Sequence, residues 1–204
     1  MKKMNKGILF VVSAPSGCGK GTILAEILKD KDFYYSVSAT TRSPRPGEIN
    51  GINYHFLKKD EFEEKIHTGG MLEYAHYCGN YYGTPKDKVF QKLDEGKNVI
   101  LEIEVQGAMQ VKEKCPDAVF IFIAPPSVGE LKKRLENRGT ESAEVIQQRV
   151  SEAAHEISFA KDYDYIVVND VLEDAVKDFQ AVVRAQKIKS ENQNKFINEV
   201  LENA

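Results

Sequence analysis

Tryptophan is absent from the 204 residues, and cysteine occurs only three times. Cys18, Cys78 and Cys115 are odd in number and far apart, which excludes both a closed disulfide framework and a metal site built on cysteine pairs. They are read as reduced thiols. The four histidines, His55, His67, His76 and His155, form no ligand spacing. Long apolar runs are also missing: nothing approaches the roughly 18 residues needed to span a membrane. The run Ile8 to Val12, which follows a basic start, is too short for the apolar region of a secretory signal, so the chain is expected in the cytoplasm without a membrane partner. Nor is there a surplus of positive charge, since 28 Lys and Arg against 31 Asp and Glu leave a net charge of -3. That excludes a global basic field of the kind that gathers nucleic acid, and any anion site must be local.

What is present is an ordinary globular balance, 42% apolar and 29% charged, in a length that suits one compact body with lobes. Gly7 to Ser13 is a nearly continuous apolar run rich in β-branched residues, as expected of a strand buried on both faces of a parallel sheet. A glycine-rich turn follows, and then Thr22, Ile23, Leu24, Ile27 and Leu28 recur at helical spacing. The alternation returns with a strand over Asn98 to Glu102, a helix over Val105 to Lys114 and a strand over Ala118 to Ile123. Ser127 opens a further helix with Glu130 as the third residue of a capping box, and a strand over Tyr165 to Asn169 precedes an amphipathic helix. The expected fold class is α/β with a parallel-sheet core. Between Ser36 and Tyr82 the texture changes to short alternating pieces with many tyrosines, which reads as an inserted lobe. The polar interruption Asn137 to Glu144 lies between helices carrying Arg134, Arg138 and Arg149 and reads as a mobile cover.

The turn Ala14-Pro15-Ser16-Gly17-Cys18-Gly19-Lys20-Gly21 nearly matches G-x-x-x-x-G-K-[ST]. Glycines let successive N–H groups converge on one concavity, the next helix adds its positive end, and Lys20 can reach outer phosphates, so the turn is a polyphosphate site. Ala14 replaces the first glycine of the pattern. Gly21 replaces the hydroxyl residue that usually touches Mg²⁺, leaving water, phosphate oxygens and a carboxylate to hold the ion, or Thr22 to act indirectly; no direct protein ligand is assigned. Cys18 sits near a helix end, where its thiol could be acidified and oxidised; the alternative is a permissive position facing away from phosphate.

The segments SAPSGCGKGT, SVSATTRSPRPGEINGINYHF, EYAHYCGNYYGTP, LEIEVQGA, IFIAPPS, LKKRLENRGTES and VVND, in this order, resemble the guanylate kinase family over nearly the whole chain. The resemblance implies a P-loop kinase that moves a phosphoryl group from ATP to GMP, with dGMP as a further acceptor, in purine nucleotide metabolism and GMP recycling. It implies a core (about 1–35, 84–125 and 160–204), a GMP-binding lobe (about 36–83) and a helical lid (about 126–159). ATP with Mg²⁺ would seat on Ala14 to Thr22, with Asn169 and Asp170 beside the adenine. The GMP phosphate would meet Arg42 and Arg45, two guanidinium forks on a proline-stiffened segment, with the hydroxyls of Tyr54 and Tyr82. Glu73 matches the guanine-binding glutamate, and Ser38 and Thr84 match hydroxyls that donate to the base. A carboxylate can accept both adjacent N–H donors of guanine, which adenine lacks.

Glu102 and Glu104 stand at the carboxyl edge of the sheet, where the family usually carries at least one aspartate. One would touch the GMP base or ribose side, the other the water shell of Mg²⁺, and which does which stays open. Lys20, Arg42, Arg134, Arg138 and Arg149 would carry the catalysis by stabilising a loose, highly charged phosphoryl group, with no general base. Two other readings share parts of this pattern. A binding module that has lost catalysis would not need the lysine and lid arginines, and a kinase for another monophosphate would not need Glu73 with Ser38 and Thr84. A monomer and a homodimer are both compatible with the sequence, and Lys187 to Ala204 reads as a surface helix or a dimer contact.

Overall fold

In the computed structural model, residues 6–137, 139 and 141–202 are described. In chain order the elements are β1 (Leu9–Ser13), α1 (Lys20–Ile27), β2 (Phe33–Tyr35), β3 (Ala39–Thr40), β4 (His55–Phe56) and α2 (Lys59–His67). There follow β5 (Met71–Tyr77), β6 (Asn80–Pro85), α3 (Lys86–Asp94), β7 (Asn98–Glu102), α4 (Val105–Lys114), β8 (Val119–Ala124) and α5 (Val128–Asn137). The last are α6 (Ala143–Ser158), β9 (Tyr165–Val168), α7 (Leu172–Ile188) and α8 (Asn194–Glu202). The long strands and helices expected from the sequence recur within a residue or two at their ends.

The main sheet has the order β2-β7-β1-β8-β9 and all its pairings are parallel. β1 is buried along its whole length because helices cover both faces, and its side chains alternate between two cores. Phe10 and Val12 pack with Ile23, Leu24 and Phe179 of α1 and α7. Leu9 and Val11 pack with Val89, Leu93, Ala108 and Val111 of α3 and α4 on the other face. The neighbouring β8 divides the same way, Ile121 and Ile123 into the first core, Phe120 and Phe122 into the second. An apolar run this continuous could not show that division in the sequence.

A second sheet, β4-β3-β6-β5, rises between β2 and β7 in the chain and mixes parallel and antiparallel pairs. Its core is small: Ala39, Phe62 and Met71 are buried, with Leu57, Ile66 and Tyr81 partly so. The β5–β6 hairpin turns on Cys78 and Gly79, both at positive φ (46° and 77°), the handedness that fits the strand twist. Gly83 is required where the sheets meet α2, since a Cβ there would stand 2.5 Å from the Glu73 carbonyl oxygen and 3.1 Å from Phe62. At the C-terminus α8 leaves Phe196, Ile197, Val200 and Leu201 exposed. Among the described residues no helix is long and apolar enough to cross a membrane.

Candidate active site

The turn from β1 into α1 is shaped by two residues in the left-handed region, Gly17 at φ 92° and Gly19 at φ 87°. Both also stand where a side chain would collide: a Cβ on Gly17 would meet Leu135 of α5 at 2.7 Å, and one on Gly19 would meet the Asn169 amide nitrogen at 2.4 Å. The turn is thus pressed against α5 and the end of β9. Asn169 fixes it there, donating its side-chain N–H to the Cys18 carbonyl at 2.6 Å. Ala14, Pro15 and Ser16 lead into this turn, and Ser16 is exposed.

Of the two readings of Cys18, the structure fits the one in which the side chain faces away from phosphate. Its side chain is fully buried in the first core, its S–H points to the Ile123 carbonyl at 3.6 Å, and burial pushes its pKa up rather than down. The side chain therefore faces away from the concavity. Gly21 and Thr22 are exposed, and a Cβ on Gly21 would meet nothing within 4 Å.

Lys20 extends from the first turn of α1 toward the end of β7, its Nζ 3.5 Å from Glu102 Oε1. Register explains the encounter, because Glu102 is level with Val12 at the carboxyl edge of the parallel sheet. The other oxygen of Glu102 accepts from the Tyr35 hydroxyl at 2.9 Å, and burial together with that carboxylate pushes the phenol pKa well up. A cavity of about 450 Å³ opens beside this pair. Lys20, Ser38, Tyr54, Glu73, Tyr82, Glu102 and Glu104 all line it, so residues expected of two different substrates share one space.

Glu73 comes from β5 and is 6% exposed. Desolvation raises its pKa, opposed by a 2.6 Å hydrogen bond from the Thr84 hydroxyl and by the charge of Lys114. Thr84 is level with Glu73 across the hairpin, so the bond follows from strand register. The carboxylate reaches α4 closely enough that a Cβ on Gly107 would stand 2.7 Å from Glu73 Oε2.

Arg42 and Arg45 lie on the segment between β3 and β4. Arg42 is bidentate on Glu48 (2.8 and 3.0 Å), its guanidinium 5.6 Å from the Tyr54 ring and 5.8 Å from Phe56. Arg45 is exposed, and its main-chain N–H donates to Glu48 at 2.7 Å. Tyr54 and Tyr82 meet edge to face with centroids 6.1 Å apart.

The cover arginines separate. Arg149 of α6 donates to the Ser16 hydroxyl at 2.5 Å and to Glu141, joining the polar interruption to the phosphate turn. Arg134 of α5 instead donates to the Asn169 carbonyl at 2.8 Å and faces Glu130 and Asp170 at 3.5 and 4.0 Å. It is at the end of β9, beside the residues expected near adenine, and there the Asn169 amide is engaged by the turn itself. Arg138 lies outside the described residues. Among the described residues no group of three His, Cys, Asp or Glu side chains could hold a metal ion.

Residues that sequence reading missed are Tyr35, Glu48, Gly107 and Glu141. Only Glu48 had a local signal, standing three residues after Arg45 behind a Pro-Gly turn.

A family model described as guanylate kinase matches residues 6–186. A guanylate kinase of Clostridium tetani is 53% identical over 184 residues, covering 90% of this chain and 88% of its own. One from Lactococcus lactis is 56% identical over 182 residues, covering 89% of each chain. The crystal structure of guanylate kinase from Anaplasma phagocytophilum superposes with a TM-score of 0.72 at 34% identity, over 91% of this chain and 89% of that one.

Proposed function

This chain belongs to the guanylate kinase family and transfers a phosphoryl group from ATP to GMP, and on that premise we propose how its residues divide the work. The observation that carries the proposal is that Lys20 and Glu73 line the same cavity. One is the cation of a phosphate turn, the other a buried carboxylate able to accept two N–H donors of guanine.

ATP seats its phosphates on main-chain N–H groups of the turn of residues 14–22, where Pro15 offers none, and Lys20 leaves Glu102 for the outer phosphates. Exchanging a 3.5 Å carboxylate contact for a polyphosphate is favourable, because more negative charge meets the same ammonium. Arg149 stands against Ser16 and so reaches the donor's phosphates from the cover. Arg134 braces the end of β9, where Asn169 and Asp170 flank the adenine. Arg138, outside the described residues, is assigned the same charge-stabilising role. Ser38, Glu73 and Thr84 read guanine; Arg42, Arg45, Tyr54 and Tyr82 hold the GMP phosphate; Glu102 and Glu104 border the acceptor between the two.

Lys20 and the arginines stabilise charge on the transferring group, which is the main demand of a loose transition state. Mg²⁺, bound with ATP, would neutralise developing phosphate charge. The open space at Gly21 and the carboxylate of Glu102 fit an ion held mostly by water and phosphate oxygens, as this small, reluctantly dehydrated cation prefers. The four-stranded sheet acts as the GMP-binding lobe and α5 with α6 as the lid, on a core formed by the parallel sheet. Closure excludes water and prevents futile hydrolysis of ATP.

Because base and phosphate carry the recognition, dGMP is accepted as well, in purine metabolism and GMP recycling. The free cysteines fit the reducing cytoplasm. The enzyme works as a monomer or as a homodimer closed through the apolar face of α8. Release of ADP from ATP and Mg²⁺, measured with GMP, dGMP, AMP, UMP, CMP or no acceptor, tests the assignment. Turnover should require GMP or dGMP; equal rates with AMP would remove the guanine roles of Ser38, Glu73 and Thr84.

A further inference from the structure

We propose that Glu48 is a positioning residue for the acceptor's phosphate, orienting the Arg42 guanidinium and pinning the Arg45 main chain with one carboxylate. The inference rests on the phosphate roles of Arg42 and Arg45 given above.

Glu48 Oε1 accepts from Arg42 Nη2 at 2.8 Å, and Oε2 accepts from Arg42 Nη1 at 3.0 Å and from the Arg45 main-chain N–H at 2.7 Å. The chain can fold back this tightly because Gly47 takes φ 88°, and the Glu48 N–H closes the turn on the Arg45 carbonyl at 3.0 Å. Nη1 also donates to the Ser43 carbonyl at 2.7 Å. A guanidinium carries five N–H donors, and these bonds use both hydrogens of Nη1 and one of Nη2. What remains is the side edge, Nε–H and the second Nη2–H, a parallel pair suited to two phosphate oxygens, and Arg42 also hydrogen-bonds the Tyr82 hydroxyl, itself expected at the phosphate. The Arg42 and Glu48 side chains are only 16% and 18% exposed, and the Tyr54 and Phe56 rings flank the guanidinium. Few other orientations are open to it.

The pair could act in two opposite senses. If Glu48 occupied the place of the phosphate, the substrate would have to displace it, and removing its charge would tighten GMP. The geometry points the other way, since Glu48 takes the end of the fork and a main-chain donor, while the rest of the guanidinium meets the Tyr82 hydroxyl, a neutral partner that can share it with a phosphate. The hydrogen bonds of Arg42 and Arg45 also hold the Glu48 carboxyl below the usual range, so it stays ionised while substrate binds.

Glu48→Gln in the full chain puts an amide N–H₂ where an acceptor is needed. The KM for GMP should rise about tenfold, the scale of one charge-assisted hydrogen bond, while kcat and the KM for ATP change less than twofold. Inhibition by guanosine, which has the base and no phosphate, should be unchanged, a result that general loosening of the lobe would not give. An unchanged or lower KM for GMP overturns the inference, as does a matching loss of guanosine affinity. Arg42→Lys is measured alongside. If it too leaves the KM for GMP unchanged, the phosphate role of Arg42 has failed; if it alone raises KM, only the role of Glu48 has. Should Glu48→Gln not fold, Glu48→Asp, which draws the charge back by one methylene, is read by the same split.

Discussion

The phosphate turn and the acceptor lobe face one cavity but are held by different forces. The turn is a backbone object: Gly17 and Gly19 lie in the left-handed region, and Leu135 and Asn169 press on it. Cys18 anchors it in a core shared with α1, α5 and α7. The lobe is a side-chain object, with a core cluster of three buried apolar residues, polar contacts of Thr84 on Glu73 and Glu48 on Arg42 and Arg45, and the ring contact of Tyr54 with Tyr82. Where a site is made of backbone packed on the main core, binding and folding are coupled. Where it is made of side chains on a small sheet, specificity can change while the fold persists. Lys20 is the exception within the turn, because its side chain reaches out of the packed backbone into the shared cavity.

That exception gives the largest effect. Lys20→Met should lower turnover about a thousandfold or more, because a preorganised cation at a developing charge is lost. Its unfolding temperature should change far less than its turnover, since the contact it loses is a 3.5 Å pair with Glu102, whose other oxygen keeps the Tyr35 hydroxyl. Turnover above a tenth of wild type in the ADP-release assay would contradict both the mechanism and the contrast.

Glu73→Gln is next and belongs to the lobe. An amide offers one acceptor where guanine presents two donors, so kcat/KM for GMP should fall about a hundredfold. Stability should move the other way. Burial raises the Glu73 pKa, so the folded state favours the protonated form; the stability this contributes is complete below the ordinary value of 4.5 and is lost as pH rises through the folded value. The advantage of Glu73→Gln in thermal unfolding should therefore grow with pH across that window and level off above it. In the wild type, the KM for GMP should rise as pH falls through the same folded pKa. A variant less stable than wild type at neutral pH would mean that the Thr84 bond outweighs desolvation.

Two glycines compare the regions directly. Gly19 and Gly79 have φ of 87° and 77°, so alanine at either costs about 1 to 2 kcal/mol for the left-handed backbone alone. At Gly19 a Cβ also collides with Asn169, whereas at Gly79 it meets nothing within 4 Å. Gly19→Ala should cost at least about 1 kcal/mol more than Gly79→Ala in denaturant unfolding and should weaken ATP, while Gly79→Ala keeps its activity. Equal losses of stability would show that Asn169 yields and does not clamp the turn.

The same contrast explains what could be read in advance. The strand, turn and helix of the phosphate site were legible because each step is local: an apolar run, glycines, then helical spacing within about twenty residues. Asn98 to Glu102 and Val105 to Lys114 were legible for the same reason. The contacts that fix the site are not local. Asn169 reaches Cys18 across 151 positions and Tyr35 reaches Glu102 across 67, and no pattern in either segment announces the other. Glu141 sits in a polar stretch where a solvated glutamate looks the same as one gripping an arginine. Cys18 was ambiguous because a residue at a helix start is acidified only if its side chain faces the N–H groups, and here it turns into the core.

Gly21 carries the smallest effect and tests whether the turn's departure from the common pattern is imposed by packing. Gly17 and Gly19 need glycine for conformation and space, but Gly21 has no left-handed φ and nothing within 4 Å of its missing Cβ. It lies in the first turn of α1, where glycine is a poor helix former by about 0.5 to 1 kcal/mol. Gly21→Ala should therefore raise stability by a few tenths of a kcal/mol, about 1 °C in a chain of this size. Gly21→Ser should gain less from helix propensity but place a hydroxyl beside the phosphates, lowering the Mg²⁺ concentration needed for half-maximal ATP binding in calorimetry. Neither should alter the KM for GMP, because the change stays on the donor side. If both variants lose stability, the turn is packed more tightly than the open space at Gly21 implies. If only Gly21→Ser changes the Mg²⁺ requirement, glycine here sets how the metal is held and the fold does not demand it.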